Sequence, residues 1–388
     1  MNRNFKTLLF VALLMAAAAA ACTPSAAIPP STPIDTPTLT AMATNTTAAK
    51  PQPTSAPTQA LTQAPTATST SMPTVMPIAV PTTVDTGSSP YLDDRSDAAA
   101  VIKSLFNAIN LHQYARAYSY WDDTPQRVPF TQFEAGYQDT ASVQITLGAI
   151  GVDAGAGNLY APVPIMFSAK TTSGAAQTFV GCYLLHLSQP GIQGVLPFRP
   201  WGIQSAAVQL VANNANAVDL MSHVCDNFGP PPPTLAQPAA APGDISPNQY
   251  IDNRTGPVEV LQSLYNAINR HEYVRAYSYW KSTAQNLPSL DQFEQGYSNT
   301  QLVTLTTGLI IPDAGAGQFH YAVPVTLKAG LSDGSQQTFV GCYVLHISNP
   351  DIQSAPPFQP LGIESANVRQ VTADADTAAL RTQLCGLP

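Results

Sequence analysis

Apolar residues recur with the period of an α-helix in two widely separated parts of the chain. The positions at that spacing are Ile102, Leu105, Phe106 and Ile109 in the first part, and Leu261, Leu264, Tyr265 and Ile268 in the second. Such a stripe predicts an amphipathic helix that packs one face on a core. Ser96 and Thr255 stand before the stripes as expected N-caps, and Pro257 occupies the first turn, where proline is tolerated.

A second short helix is expected after each stripe. His112 interrupts the first stripe and is interpreted as a helix-break residue whose ring contacts backbone. Ala117, Tyr118 and Trp121 then lie on one side of the second helix. A further amphipathic turn carries Phe133 and Tyr137, and its later copy carries Phe293 and Tyr297.

Beyond the helices the apolar period changes to two, which predicts antiparallel strands. Val143, Ile145 and Leu147 alternate with polar residues, and a second strand runs through 161–168. Its outward Pro162 and Pro164 favour a strand start or a sheet edge. A hairpin at Ser173-Gly174 precedes an apolar central strand over 179–186, and a last strand begins at Gly202-Ile203. Helices followed by a strand meander predict an α+β fold.

The entire arrangement occurs twice. Residues 107–121 return nearly unchanged as 266–280, which indicates a tandem duplication. We predict one domain over 90–225 (repeat 1), another over 249–388 (repeat 2), and a Pro-rich linker over 226–248. The linker has almost no large apolar side chains, so we expect two independent domains on a semi-rigid string. Duplicated modules favour avidity for a repeated partner, such as an envelope polymer or a surface protein.

The N-terminus carries the pattern of an export signal. Arg3 and Lys6 precede an apolar run, and an alanine tract leads to Cys22. This stretch resembles bacterial lipoprotein precursors, although Ala19 stands where that family usually has Leu. The resemblance implies a signal peptide over 1–22, lipidation of Cys22 and an extracytoplasmic protein anchored to the cell membrane. Residues 23–89 are rich in Pro, Thr and Ala, and we expect a disordered tether there.

Charge excludes one class of partner. The formal net charge is −8, and only 10% of the 388 residues are charged. Lys and Arg form no cluster after the first few residues, whereas a nucleic-acid surface needs a basic stripe that replaces counterions. We therefore expect no nucleic-acid partner.

A family resemblance rests on the order of elements and on His112-x-Tyr114-x-x-Ala117-Tyr118 in the second helix. A helical hairpin with that pattern, a third helix and a curved sheet ending in a Trp/Leu-Gly-Ile strand resemble the NTF2-like (cystatin-like cone) superfamily. The resemblance covers about 91–225 and 250–385. It implies two domains in which a helical layer packs on a curved antiparallel sheet, around a pocket that members use for binding, for catalysis or not at all.

Four cysteines keep the repeat symmetry. Cys182 and Cys225 in repeat 1 match Cys342 and Cys385 in repeat 2, and an exported chain with two cysteines per repeat indicates one disulfide per domain. Four cysteines allow three pairings, and only the pairing within repeats preserves the duplication. A metal site of Cys182 with His186 is the competing interpretation. The two side chains would lie about 13 Å apart along a strand, too far to share an ion.

No catalytic motif is evident. His112/His271 and His186/His346 occur in both copies, whereas His223 and His320 do not. Asp122 is interpreted as part of a solvated loop, because the second copy has Lys281 there. The Asp-Ala-Gly-Ala-Gly stretch after position 152 precedes a strand and lacks the lysine of a phosphate loop, so it predicts a hairpin turn. We expect no catalytic residue, metal or cofactor.

Recurring aromatic side chains are the remaining indication of a binding site. Neighbouring Tyr118, Tyr120 and Trp121 would spread around a helix, so some must line a cavity or its rim. The candidate pocket residues are Tyr114, Tyr118, Trp121, Tyr137 and His112, with Tyr273, Tyr277, Trp280, Tyr297 and His271 in repeat 2. The sequence therefore favours a membrane-anchored, non-catalytic binding or interaction module. The alternative is an exported enzyme with a Tyr/His-lined pocket.

Overall fold

The computed structural model describes residues 82–84, 90–228 and 243–385. The expected signal peptide, the lipidation site Cys22, most of the tether and the middle of the linker lie outside the described residues. The tether expectation fails at its end, because Thr82–Val84 form strand β1, which pairs with a strand of repeat 1. No helix of the described ranges is long and apolar enough to cross a membrane.

Both repeats place three helices before a meander of strands. Repeat 1 contains α1 (Ala98–Asn110), α2 (Tyr114–Tyr118), α3 (Phe130–Ala135), β2 (Thr140–Leu147), β3 (Asp153–Gly155), β4 (Asn158–Thr171), β5 (Ala176–Ser188), β6 (Gly202–Val211) and α4 (Ala217–Met221). Repeat 2 contains α5 (Pro257–Asn269), α6 (Tyr273–Tyr277), α7 (Leu290–Gly296), β7 (Thr300–Thr307), β8 (Ile311–Gly315), β9 (Gln318–Leu331), β10 (Gln336–Ser348), β11 (Gly362–Val371) and α8 (Thr377–Leu384). The predicted α+β class is confirmed.

Each repeat has its own antiparallel sheet. The strand order is β1-β2-β4-β5-β6 in repeat 1 and β7-β9-β10-β11 in repeat 2, while β3 and β8 pair with β4 and β9. The predicted central strand is confirmed, since β5 lies between β4 and β6. The Asp-Ala-Gly-Ala-Gly stretch is a hairpin turn, as expected, with Ala156 and Gly157 at positive φ.

The two faces of each sheet are used differently. Tyr183, Leu185 and Leu187 of β5 are buried against the apolar stripe of α1, which defines the inner face. Cys182 and His186 alternate with them and therefore lie on the outer face. The same division in repeat 2 places Tyr343 and Leu345 inward and His346 outward.

The prolines of β4 do not mark an edge, because β4 is an interior strand. The pairing of β3 with β4 ends at Tyr160, and the pairing of β2 with β4 begins at Ile165. Pro162 and Pro164 fall in the gap between these two partners. β5 pairs with β4 at both positions on the other side, and a proline is tolerated because its missing N–H falls on the side of this gap.

Both predicted disulfides are present within the repeats. Cys182 is bonded to Cys225, and Cys342 is bonded to Cys385. They tie the C-terminal segment of each repeat to the outer face of its sheet. In repeat 2 that segment is α8, whereas in repeat 1 α4 ends at Met221, before Cys225. Disulfides of this kind are typical of an oxidising, extracytoplasmic compartment.

The expected N-caps are wrong, and the correction reveals an interface between the repeats. Asp97 caps α1 and Gly256 precedes α5. The Thr255 hydroxyl instead accepts a hydrogen bond from the Asp93 N–H at 3.1 Å, and the Ser96 hydroxyl accepts one from the Asp252 N–H at 3.1 Å. Each hydroxyl therefore serves the opposite repeat.

Further contacts between the repeats follow the same two-fold pattern. The Arg95 N–H donates to the Asp252 carbonyl at 2.7 Å, and the Arg254 N–H donates to the Asp93 carbonyl at 2.7 Å. Tyr91 packs against the core of repeat 2 and Tyr250 against the core of repeat 1. Reciprocal contacts of this kind resemble an isologous dimer interface built within one chain. The expectation of two independent domains is therefore wrong.

The end of the linker also contributes to packing. Ile245 is buried in the core of repeat 2, and its carbonyl accepts a hydrogen bond from Asn269 Nδ2 at 3.0 Å. One buried apolar side chain and side-chain hydrogen bonds to the backbone of 245–247 hold this segment on repeat 2, which the overall composition of the linker did not indicate.

We expect the substitution Asp94→Asn to stabilise the protein at neutral pH. Burial raises the pKa of the Asp94 carboxyl from 3.8 to about 6, and the nearby charges of Asp97 and Asp252 add to the rise although Ser96 donates to it. Repeat 2 has Asn253 at this position, and its Oδ1 accepts from the Thr255 N–H at 2.9 Å, as Asp94 Oδ1 does from Ser96. An amide in place of the carboxylate would keep that bond without a buried charge.

The sign of the pH dependence makes this prediction specific. Because the folded pKa lies above the unfolded value of about 3.9, the ionised carboxylate weakens the fold above about pH 6. The variant should gain about 1–2 kcal/mol in free energy of unfolding at pH 8 and nothing at pH 4. Urea unfolding at both pH values measures this. An equal difference at both would contradict the electrostatic cause.

Candidate functional site

An aromatic cluster in repeat 1 brings together most of the predicted pocket residues. The Phe133 ring lies 5.4 Å from Tyr118, 5.1 Å from Tyr137 and 6.5 Å from Trp121, between ring centroids. Tyr114 stacks on Tyr137 at 6.4 Å. Helices α2 and α3 and the chain after each of them supply these rings, and Tyr118, Trp121, Phe133 and Tyr137 pack with the core on the inner face of the sheet.

Repeat 2 repeats the cluster around Phe293. Tyr277 and Tyr297 lie 5.5 and 5.1 Å from its ring centroid, and Trp280 lies 6.0 Å from Tyr343. One difference changes the hydrogen bonding. The Tyr265 and Tyr343 hydroxyls lie 2.6 Å apart, whereas Phe106 occupies the position of Tyr265 in repeat 1, so Tyr183 has no hydroxyl partner there.

Both clusters contain a buried indole N–H without an acceptor. Among the described residues, four buried side-chain polar atoms have no hydrogen-bond partner: Arg95 Nε, Trp121 Nε1, Trp280 Nε1 and Thr326 Oγ1. Two of the four are therefore the same atom in the two repeats. Trp121 and Trp280 are half-buried as residues, whereas the indole nitrogen of each is fully buried. An unpaired buried donor costs free energy and calls for an explanation.

Three predicted aromatic placements need correction. Helix α2 ends at Tyr118, so Tyr120 is not on a helical face; it is fully buried and its hydroxyl donates to Asp93 Oδ1 at 3.0 Å. His112 and His271 are exposed, and each lies 6.0 Å from the next tyrosine rather than inside the cluster. Their φ values of 56° and 57° agree with a helix-break role.

The Tyr137, Tyr297 and Tyr343 hydroxyls can donate hydrogen bonds but cannot act as bases. Burial raises the pKa of the Tyr137 and Tyr297 hydroxyls far above 10, and it raises the pKa of Tyr343 to about 12. These phenols stay protonated at neutral pH. The chemistry available at the cluster is therefore an apolar aromatic surface with O–H and N–H donors.

A second candidate lies on the outer face, where sequence reasoning placed no site. In repeat 2, Asp313, His320, His346 and Gly362 pair directly across four adjacent strands, β8 to β11. The His320 and His346 rings stack at 4.5 Å, and His320 Nε2 lies 3.4 Å from Glu364 Oε2. Burial, Lys281 and His320 lower the pKa of His346.

The row of matching cross-strand positions in repeat 1 carries different side chains. Asp153, Tyr160, His186 and Gly202 occupy the same register positions, and Gln204 stands where repeat 2 has Glu364. His186 Nδ1 lies 3.6 Å from Asp122 Oδ2, so Asp122 is not in a merely solvated loop as expected. Burial raises the pKa of the Asp122 carboxyl despite the nearby His186.

Glycine at the end of the row allows this contact. A Cβ added at Gly202 would meet Asp122 Oδ1 at 1.9 Å, and one added at Gly362 would meet Lys281 Cγ at 3.1 Å. The side chain at position 122 or 281 thus crosses the last strand where that strand has no side chain. The recurrence of His186/His346 in both copies was the only sequence signal for this site.

Two cavities of the described residues lie away from the aromatic clusters. One, of about 250 Å³, is lined by Ile311, Asp313, His320, Ala322 and Val344 on the outer face of repeat 2. The other, of about 550 Å³, lies at the far end of β10 and β11. The candidate pocket residues line neither of them, and their role in binding stays a prediction.

Comparisons with known proteins identify no family for this chain. No family model matches the chain, and no curated protein matches it. One solved structure, a protein of the NTF2-like family from Streptomyces avermitilis, aligns at 13% sequence identity over 29% of this chain and 93% of its own. Its TM-score is 0.22, which is too low to establish a shared fold.

Proposed function

We propose that the protein is an extracytoplasmic binding module, anchored to the membrane through lipid on Cys22, in which two NTF2-like repeats each bind a ligand at the aromatic cluster. The observation that carries the binding proposal is the unpartnered indole N–H of Trp121 and Trp280 in both repeats. The ligand class is an apolar or aromatic body with a hydrogen-bond acceptor that reaches this donor.

The surroundings of the indoles support the same ligand class. In repeat 1 the Tyr183 ring lies 6.0 Å from Trp121, and Tyr183 lacks the hydroxyl partner that Tyr343 has in repeat 2. Each repeat thus offers an indole N–H and one hydroxyl proton among apolar rings, because the Tyr265–Tyr343 pair of repeat 2 uses only one of its two protons internally. The two repeats would therefore bind ligands of the same class.

Within the described ranges, the one His–carboxylate pair on the outer face of repeat 1 is not conserved in kind in repeat 2, which favours binding over catalysis. The His186–Asp122 pair of repeat 1 becomes His346–Lys281 in repeat 2. An exported enzyme stays the second candidate because of that pair in repeat 1, which is half-buried on the outer face. This second candidate predicts an enzymatic activity that His186→Gln and Asp122→Asn each abolish. Ligand binding at the aromatic cluster should persist in both variants.

Titration with 8-anilinonaphthalene-1-sulfonate tests the proposal, because this probe joins an aromatic body to a sulfonate acceptor. We expect the full, folded chain to bind two molecules, as counted by native mass spectrometry. Trp121→Phe and Trp280→Phe should each weaken one site about tenfold, which corresponds to about 1.4 kcal/mol. The anchor is tested separately: Cys22→Ser should move the protein from the membrane fraction to the soluble fraction.

Trp201→Leu is the matched control. Trp201 is buried in the core of repeat 1, and repeat 2 has Leu361 at this position. The control should leave both sites intact. Binding that does not saturate, or that survives both Trp→Phe substitutions, would remove the case for the aromatic sites.

A further inference from the structure

The outer face of repeat 2 carries a set of side chains that the binding proposal does not use. His320, His346 and Glu364 offer ligand atoms that all lie within 4.8 Å of one another. The three residues lie on three adjacent strands, and His320 lines the neighbouring cavity of about 250 Å³. We propose that these three residues bind a divalent transition-metal ion such as Zn²⁺.

The donor types fit that class of ion. Two imidazoles and one carboxylate are common ligands of zinc and related metals, whereas magnesium and calcium prefer sites built from oxygen alone. Three protein ligands leave coordination positions open toward the cavity. Asp313 pairs with His320 across the strands and lines the same cavity, but its carboxylate is not among the ligand atoms that lie together.

The strands fix the geometry more firmly than loops would. His320 and His346 are directly opposed on β9 and β10, and Glu364 follows on β11. Ala322, two residues from His320, belongs to a small apolar cluster with Cys342 and Cys385. The disulfide in that cluster lies on the same face of the sheet as the proposed ligands, farther along the strands.

A second layer of contacts orients His346. Its Nε2 lies 2.6 Å from Gln318 Oε1, and the Ser348 hydroxyl donates to the same oxygen at 2.8 Å. Because Gln318 Oε1 is an acceptor, Nε2 carries the proton and Nδ1 keeps the lone pair. A metal-binding histidine commonly donates its other ring N–H to an oxygen in this way.

In the structure, Lys281 is hydrogen-bonded to the lone pair of His346 Nδ1, to which its ammonium group donates. A metal ion would replace this ammonium, so Lys281 competes with the ion for His346. Repeat 1 has Asp122 at the same position, 3.6 Å from His186 Nδ1, which shows that a carboxylate fits there.

The duplication supplies the variants for the test. His320→Tyr and Glu364→Gln introduce the residues of repeat 1, Tyr160 and Gln204, and so preserve a fold that already accepts them. Calorimetric titration of the full chain with ZnCl₂ should detect one ion, bound at least about tenfold more weakly by each variant. Lys281→Asp should bind zinc at least about tenfold more tightly, because a competitor becomes a fourth ligand.

Two further measurements keep the test decisive. Zinc should protect His320 and His346 of the unsubstituted chain from diethylpyrocarbonate, and His186→Ala should change neither protection nor stoichiometry. The proposal is overturned if the chain binds zinc no more tightly than the double variant of His320→Tyr and Glu364→Gln. It is also overturned if Lys281→Asp fails to strengthen binding, or if zinc leaves both histidines reactive. These outcomes do not depend on the aromatic sites.

Discussion

The substitution Asp93→Asn should cost about 3–5 kcal/mol in free energy of unfolding, since it removes one partner of a buried ion pair. The Asp93 side chain is fully buried, lies 3.5 Å from Arg95 Nε, and accepts from the Tyr120 and Tyr91 hydroxyls at 3.0 and 3.1 Å. Without its charge, the guanidinium groups of Arg95 and of fully buried Arg116 lose their compensation. Thermal unfolding should shift by on the order of 10 °C.

The exposed pair of Asp123 and Arg127 is the control. These groups lie 3.1 Å apart, but the Asp123 side chain is 92% exposed, so Asp123→Asn should change little. A similar small change for Asp93→Asn would contradict the buried-pair argument.

The same pair predicts acid sensitivity. Burial alone would raise the pKa of Asp93, but Arg95, Arg116 and Arg254 of the facing repeat outweigh it and lower the pKa below 3.8. A depressed folded pKa gives stability that is present above the unfolded pKa of about 3.9 and is lost as pH falls through the folded pKa. The unsubstituted protein should therefore lose this contribution below about pH 4, and Asp93→Asn should lack that part of the transition.

Arg275→Met should destabilise the protein by about 3–5 kcal/mol, and more than the matched Arg116→Met. Both arginines are fully buried and each bonds an asparagine at 2.9 Å. Arg275 Nε donates to the buried Glu272 carboxylate at 2.6 Å, whereas Arg116 Nε donates to the neutral Gln113 at 2.7 Å. Only the first substitution removes an arginine that donates a hydrogen bond directly to a buried carboxylate.

Glu272→Gln provides the rescue, because it introduces the residue of repeat 1. In the Arg275→Met background it should restore about 1–2 kcal/mol, the penalty of leaving a buried charged group under-compensated. Arg270, 2.7 Å from the same carboxylate, limits the recovery by screening part of the stranded charge. A double-mutant cycle by urea unfolding measures the coupling. Equal losses for Arg275→Met and Arg116→Met would show that the carboxylate is irrelevant.

Local patterns in the sequence were sufficient for much of the fold. The helical stripe of Ile102 to Ile109, the alternation of Val143 to Leu147 and the doubly apolar 179–186 became α1, β2 and the centre of β5. Burial requirements act on each element separately, so its period shows in its own residues. The duplication likewise limited the disulfides to one symmetric pairing, which is confirmed.

The interface between the repeats could not be read in this way. Ser96 and Thr255 have the sequence of N-caps, but their hydroxyls accept from backbone N–H groups more than 150 positions away. Composition made the linker resemble a spacer, although contacts elsewhere join the repeats. The pairing of polar groups between the two repeats depends on how the chain folds. It produces no periodic pattern in the sequence.

The tertiary structure alone also decided the outer-face site. Asp122 and Lys281 differ in charge, which suggested a solvated loop, but both side chains cross a glycine of the last strand to meet the same histidine. His320 and Glu364 lie 44 residues apart in sequence and meet because β9, β10 and β11 are adjacent in the sheet. Sequence determines the period of each strand, whereas strand order and register bring distant side chains into one cluster.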